Sequence, residues 1–176
     1  MSKEEELPTP TLETPRSNAS TSSQTSDDRP ETGNYSIVVR TASKPHAGTS
    51  ASVFVQLTDV EGNKTDKVRL KCSISHRKKF QKGHADLFML VDQNYMSQLK
   101  TVDVWHQRRG RKDAWLLHSI DVIDHQTNML YHFPCGNWLG HSSDDTYYNM
   151  NFVSLDAVGQ PVSAISRKDF APQNHS

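Results

Sequence analysis

Eight short runs of alternating apolar and polar residues constrain the fold of this 176-residue chain more than any other feature. The runs cover residues 35–41, 50–57, 67–72, 85–91, 99–106, 114–122, 129–133 and 147–153. Alternation with a period of two predicts β-strands, and turn-forming residues between the runs favour antiparallel pairing. No segment of helical length carries a convincing apolar stripe. The pattern therefore predicts an all-β fold, an eight-stranded antiparallel β-sandwich of two packed sheets.

The first 33 residues differ in composition from the rest of the chain. They contain twelve serines and threonines, four prolines and no aromatic residue, with three basic against seven acidic residues. Such a segment cannot bury enough apolar surface to offset the entropy lost on ordering, so we predict a disordered acidic tail over residues 1–33. A solubilising leader is the simpler interpretation of this tail. A phosphorylated or partner-binding arm is the alternative.

The predicted sandwich occupies residues 34–156, and a polar C-terminal extension follows over residues 157–176. Residues 34–176 carry 17 basic and 13 acidic residues. The formal net charge of zero for the whole chain therefore combines a tail of −4 with a remainder of +4. A basic folded region indicates an anionic partner, although a solvated surface is the ordinary explanation of such charge.

Membrane-spanning, secreted and disulfide-stabilised classes are not supported. No apolar run approaches the roughly 18–20 residues that a spanning helix requires. The first thirty residues contain no secretory signal pattern. Cys72 and Cys135 are too few for a disulfide scaffold. We therefore expect an intracellular protein with free thiols.

Catalytic patterns are missing from the sequence. Cys135 follows an apolar strand, where a buried and inert thiol is expected rather than a nucleophile. The nine histidines lack the Cys or His spacing of a zinc site, and no glycine-rich phosphate loop occurs. His106 and His118 fall on predicted strands and are interpreted as structural. These observations predict a protein that is not an enzyme.

Two clusters of positive charge are the candidate functional residues. Between Lys64 and Lys82 there are eight basic residues and one acid, Asp66, and residues 108–112 form a second cluster. Cations in loops attract anionic membranes with about 1 kcal/mol each. Nucleic acid is a weaker candidate, because no aromatic residues interleave with the cations as stacking platforms. The candidate lipid-binding residues are Lys78, Lys79, Lys82, Arg108, Arg109, Arg111 and Lys112.

Six motifs in register resemble one known family. They are Tyr35-x-Ile37-x-Val39-x-Thr41, Ala47-Gly48-Thr49, Phe80-x-x-Gly83-x-x-Asp86, Val102-x-Val104-Trp105-His106, Trp115-x-Leu117-x-x-Ile120-x-Val122 and Phe133-x-Cys135-x-x-Trp138-Leu139. In this order they resemble a PLAT domain, also called the lipoxygenase homology or LH2 domain. The likeness is strongest to the PLAT domains of polycystin-type proteins and lipoxygenase-homology repeat proteins.

The resemblance implies a non-enzymatic β-sandwich that binds membrane lipids or protein partners. Several family members bind calcium through an Asp after the Ala-Gly-Thr turn, where this chain has Ser50 and Ala51. Cations at Lys78 and Lys79 stand where further carboxylates would lie. Calcium remains possible through Asp59, Glu61, Asn63 or Asp113, but its expected ligands are mostly replaced, and no other cofactor is expected.

We therefore expect a cytoplasmic module, peripheral to the membrane, that binds anionic lipid headgroups or a membrane protein. Nucleic acid and small-molecule substrates are not expected. The alternative is a protein-interaction adaptor, which could be a short form or fragment of a polycystin-like channel protein. Trp115 and Trp138 are predicted to pack in or against the core rather than to insert into a membrane.

Overall fold

Nine β-strands form the part of the chain that the structure describes. The computed structural model describes residues 32–107, 114–140 and 151–164. The strands are β1 (Thr32–Thr41), β2 (Ser52–Asp59), β3 (Val68–Arg69), β4 (Ala85–Asn94), β5 (Leu99–Gln107), β6 (Trp115–Asp124), β7 (Met129–Leu139), β8 (Phe152–Asp156) and β9 (Val162–Ser163). The described residues contain no helix that could span a lipid bilayer.

The strands pair into two antiparallel sheets. One sheet has five strands in the order β9-β7-β6-β1-β4, and the other has four in the order β3-β2-β5-β8. The sheets enclose one cluster of buried side chains, as in a β-sandwich. The predicted fold class is therefore confirmed.

The strand count differs from the predicted eight by one. The additional strand β9 pairs with the start of β7, with Val162 opposite Leu130. It lies within the segment expected to be a polar C-terminal extension. A strand of two residues has no alternation that a sequence could reveal, and its pairing depends on a partner more than thirty positions earlier. The division of the chain into tail, sandwich and extension stays a prediction.

The core is built from the alternation that predicted the strands. Val53, Val55 and Leu57 of β2 are fully buried, and they lie opposite His106, Val104 and Val102 of β5, respectively. Burying each such side chain stabilises the fold by about 1.5–3 kcal/mol. Residues between them in sequence lie on the outer face of the sheet and are half-buried.

The sandwich has two distinct ends. At one end β1 and β5 finish while β2, β4 and β6 begin, as shown by the pairing of Ser52 with Gln107 and by the hydrogen bond from Thr41 N to His84 O (3.0 Å). At the far end Thr32 pairs with Asn94, and β9 pairs with the start of β7. We call the first of these the basic end, because it carries the cations described below.

Candidate functional site

The basic loop, residues 73–84, is the larger part of the connection between β3 and β4 and lies at the basic end. It carries Arg77, Lys78, Lys79 and Lys82 and contains no acidic residue. Arg77, Lys78 and Lys82 are exposed, and Lys79 is half-buried with its Nζ 5.8 Å from the ring centroid of Phe80. The structure thus brings the three described candidates, Lys78, Lys79 and Lys82, together on one loop.

A buried carboxylate holds this loop in place. Asp86 is completely buried at the start of β4. Its Oδ1 accepts a hydrogen bond from Ser73 Oγ (2.7 Å), and its Oδ2 accepts one from the backbone N–H of Phe80 (2.8 Å). Hydrogen bonds to an ionised acceptor are roughly twice as strong as neutral ones. Asp86 therefore fixes both the beginning and the middle of the basic loop.

Phe80 anchors the loop from the inside. Its side chain is fully buried, and its ring centroid lies 5.1 Å from that of Trp115 and 5.6 Å from that of Phe88. Its φ of 61° lies in the left-handed region that non-glycine residues seldom adopt. Burial of the ring offsets this backbone cost, and the cations on either side of Phe80 are held at the surface.

Gly48 allows the neighbouring turn to approach the loop backbone. A Cβ at this position would lie 2.9 Å from the carbonyl oxygen of Phe80. That same oxygen accepts a hydrogen bond from Thr49 N (3.0 Å). The glycine of the Ala47-Gly48-Thr49 motif is therefore required for contact between two backbones.

A cavity of about 340 Å³ lies between this turn and the basic loop. Its walls include Thr49 and Ser50 from the turn and Arg77, Lys78 and Lys79 from the loop. Hydroxyl groups and cations are the groups that bind phosphate oxygens. Thr49, Ser50 and Arg77 were not among the lipid-binding candidates predicted from the sequence. Arg77 could have been found from its position beside Lys78, but the contribution of the turn depends on tertiary contact.

The second cluster, Arg108, Arg109, Arg111 and Lys112, lies outside the described residues. The structure does describe the strands that flank this cluster, β5 and β6. Gln107 pairs with Ser52, and Leu116 N donates to Ala47 O (2.9 Å). Both flanking strands therefore reach the basic end, where residues 47–52 also lie.

The described candidates for calcium ligands, Asp59, Glu61 and Asn63, lie at the far end of the sandwich and are connected by hydrogen bonds. Asp59 ends β2 at the far end, and its carboxylate accepts hydrogen bonds from Glu61 N, Asn63 N and Nδ2, and Ser97 N and Oγ. Within the ranges that the structure describes, no three His, Cys, Asp or Glu side chains could hold a metal ion together. Asp113 lies outside those ranges. The described candidates therefore lack the clustered carboxylates that Ca²⁺ prefers, and calcium binding by this chain stays a prediction.

The hydrogen bonds to Asp59 predict a pH-dependent contribution to stability. Burial raises the pKa of this carboxyl group, but the hydrogen bonds from Ser97 and Asn63 outweigh it and hold the pKa below the usual value. A lowered native pKa means that the stabilisation is complete above about pH 4 and is lost as the pH falls through the native pKa. We expect Asp59→Asn to be less stable than the parent in urea unfolding at pH 7, by about 1–3 kcal/mol. The difference should shrink at pH 3, and a constant difference would contradict this role.

A comparison with protein-family models matches residues 35–153 to the PLAT/LH2 domain. The chain belongs to the PLAT/LH2 family. It is 32% identical over 111 residues to human lipoxygenase homology domain-containing protein 1, which covers 63% of this chain and 5% of that protein. It is 30% identical over 148 residues to the mouse polycystin family receptor for egg jelly, covering 83% of this chain and 6% of the receptor. The chain thus spans a small part of the curated relatives that it matches.

Solved structures support the PLAT/LH2 fold. Coral 8R-lipoxygenase matches with a TM-score of 0.57 and 20% identity over 70% of this chain and 17% of that enzyme. A calcium-dependent 11R-lipoxygenase matches with a TM-score of 0.52 and 23% identity over 71% of this chain and 17% of the enzyme. At this level of identity the likeness concerns the fold. The chain corresponds to the PLAT part of these larger enzymes.

Two tryptophans of the PLAT/LH2 motifs have different surroundings. Trp115 is fully buried, and its Nε1 donates to Thr41 Oγ1 (2.9 Å), which confirms its predicted place in the core. The prediction that Trp138 packs in or against the core is wrong, because this residue is 36% exposed and belongs neither to the core cluster nor to the described residues packed against it. In β7 the odd-numbered residues Tyr131, Phe133 and Leu139 are the ones that join the core, and Trp138 has the opposite orientation.

The histidine and cysteine predictions agree with the structure in part, because Cys135 is half-buried rather than buried and His118 is exposed. His106 is buried with its Nε2 3.1 Å from Thr49 Oγ1, so this imidazole connects β5 to the turn beside the basic loop. Nδ1 of His118 lies 2.8 Å from Ser119 Oγ. Burial raises the pKa of the half-buried Cys135 thiol, which disfavours the reactive thiolate. These side chains have structural surroundings rather than those of a nucleophile.

Proposed function

We propose that this chain is a non-enzymatic PLAT/LH2 module that attaches to anionic membrane lipids at the cytoplasmic face of a membrane. The observation that carries the proposal is the basic loop, which holds four cations and no acid at one end of a rigid sandwich. Asp86 and Phe80 fix the backbone of that loop, so little ordering entropy is lost when its cations meet a charged surface. No nucleic acid, small-molecule substrate or cofactor enters this proposal.

The electrostatics of the basic end favour lipid headgroups. Lys78 and Lys82 are exposed, and each cation near an anionic leaflet contributes about 1 kcal/mol. The cavity beside them is also lined by Arg77 and Lys79, and such cations donate hydrogen bonds to phosphate oxygens. The loop can therefore attract the charged leaflet and also contact single headgroups.

Attachment is proposed to be independent of calcium. Coral 8R-lipoxygenase is described as an enzyme that calcium activates through a C2-like domain. In the present chain the basic loop supplies cations instead of the carboxylates that Ca²⁺ requires. Direct attraction between the loop and the lipid replaces an ion bridge in this proposal.

Co-sedimentation with phosphatidylserine vesicles tests the proposal. Replacing Lys78 and Lys82 together by glutamine removes two exposed cations, and we expect vesicle binding to weaken by roughly thirtyfold in low salt. Binding of the parent should fall as salt rises, because screening acts on exposed charges. Adding calcium or a chelator should leave binding unchanged.

The matched control replaces Lys64 and Lys100 by glutamine, the same change of charge away from the basic end. Lys100 follows the first residue of β5, and Lys64 pairs with Thr58 near the end of β2. This variant should bind vesicles almost as the parent does. Equal loss in both double variants, or no binding of the parent in low salt, would show that the basic end does not attach the module to lipid.

A further inference from the structure

An aromatic row crosses the outer face of the four-stranded sheet. Phe54 of β2 lies opposite Trp105 of β5, and Trp105 lies opposite Phe152 of β8. The ring centroids of Trp105 and Phe152 are 5.1 Å apart with an interplanar angle of 48°. Phe152 is 43% exposed, and the other two rings are half-buried. Three large rings are thus held side by side on a rigid face that solvent reaches.

Cations border this row on the edge strand. Arg69 of β3 lies opposite Phe54, and Lys67 and Lys71 precede and follow it at alternate positions. All three are exposed. Lys67 Nζ lies 4.1 Å from the ring centroid of Trp105 and 5.4 Å from that of Phe54. Within the described part of the chain, none of these three cations forms an ion pair with a carboxylate.

We propose that this cation–aromatic face binds an acidic peptide segment of a protein partner that also carries bulky apolar side chains. The face consists of the rings Phe54, Trp105 and Phe152 and the cations Lys67, Arg69 and Lys71. Aromatic rings and arginine are the side chains that contribute most to protein–protein affinity. Rings fixed by strand pairing lose little conformational freedom on binding. The exposed cations select the acidic character of the partner by charge complementarity.

Two other occupants fit this face less well. A second copy of the chain would bring Lys67, Arg69 and Lys71 of both copies towards the same interface, and like charges repel. A membrane is usually entered by projecting loop tips, whereas these rings lie on strands within a sheet face. The proposal is independent of lipid attachment, which uses the basic loop.

An NMR titration of the isotope-labelled full chain tests the proposal. The probe is a short synthetic peptide rich in glutamate and leucine. We expect saturable shifts of the Trp105 indole N–H and of the Phe54 and Phe152 amides. Versions of the peptide with lysine for glutamate, or serine for leucine, should bind at least about tenfold more weakly.

Charge-reversal variants locate the site. Arg69→Glu and Lys71→Glu should each weaken binding of the glutamate–leucine peptide by about tenfold. Lys100→Glu makes the same charge change at the other end of β5 and should leave peptide affinity unchanged. Because Arg69 and Lys71 are exposed, at least one of these variants is expected to retain the dispersed spectrum of the folded chain.

Four outcomes would overturn the proposal. The peptide could give no saturable shifts, or Lys100→Glu could weaken binding as much as Arg69→Glu does. Phosphatidylserine vesicles could shift Trp105 and Phe152 while the peptide does not, which would assign the face to lipid. Shifts that depend on protein concentration without peptide would assign it to a second copy.

Discussion

Replacing Gly140 by alanine is expected to destabilise the fold by about 3 kcal/mol. Gly140 follows β7 with a φ of 65°, and a Cβ there would lie 2.2 Å from Cε1 and Nδ1 of His106. The imidazole cannot easily move away, because it is buried, meets Thr49 Oγ1, and stacks on Trp115 with centroids 6.0 Å apart. Urea unfolding measures the loss.

Gly159→Ala is the matched control for this experiment. Gly159 has a φ of 71°, but a Cβ there would meet no atom within 4 Å. The free energy of unfolding of Gly159→Ala should therefore fall by only about 1 kcal/mol, which is the cost of the strained backbone alone. A double-mutant cycle adds a second check: in a His106→Ala background, Gly140→Ala should also cost about 1 kcal/mol. Equal costs for Gly140→Ala in both backgrounds would refute contact with the imidazole as the cause.

Asp86→Ala is expected to cost about 3 kcal/mol and to release the basic loop. The change removes two hydrogen bonds to a buried carboxylate and leaves the Phe80 N–H without its acceptor. Amide hydrogen exchange of residues 76–84 should accelerate beyond what the global loss of stability produces. Vesicle binding should also weaken, because the cations of the loop are no longer held together.

Asp103→Ala provides the comparison for this variant. Asp103 is a half-buried residue of β5 on the outer face. Its removal should change stability by no more than about 0.5 kcal/mol. If Asp86→Ala unfolds too readily, Ser73→Ala removes one of the same hydrogen bonds at a smaller cost. Unchanged exchange of the loop in both Asp86→Ala and Ser73→Ala would contradict the anchoring role of Asp86.

Local alternation of apolar and polar residues was sufficient to predict the β-sandwich. Each long strand contains enough alternation to define its buried face, as Val53, Val55 and Leu57 show in β2. The ninth strand escaped prediction because Val162 and Ser163 are defined only by their pairing with β7. The orientation of Trp138 was also missed, since its motif gives the residue type and not the face on which it lies.

The candidate site was predicted less completely than the fold. Charge density identified the loop that carries Lys78, Lys79 and Lys82, because like charges close in sequence remain close in space. It could not show that Thr49 and Ser50 line the same cavity. The aromatic row was missed for a related reason: Phe54, Trp105 and Phe152 are far apart in sequence, and only strand register aligns them.

The two ends of the sandwich give the module a direction. The first described residue, Thr32, pairs with Asn94, and Ala164 N donates to Asn128 O (2.7 Å), so the described fold starts and finishes at the end opposite the basic loop. A spin label attached at Thr32 or Ala164 would therefore stand on the side away from a lipid surface that contacts Lys78, as the proposed attachment requires.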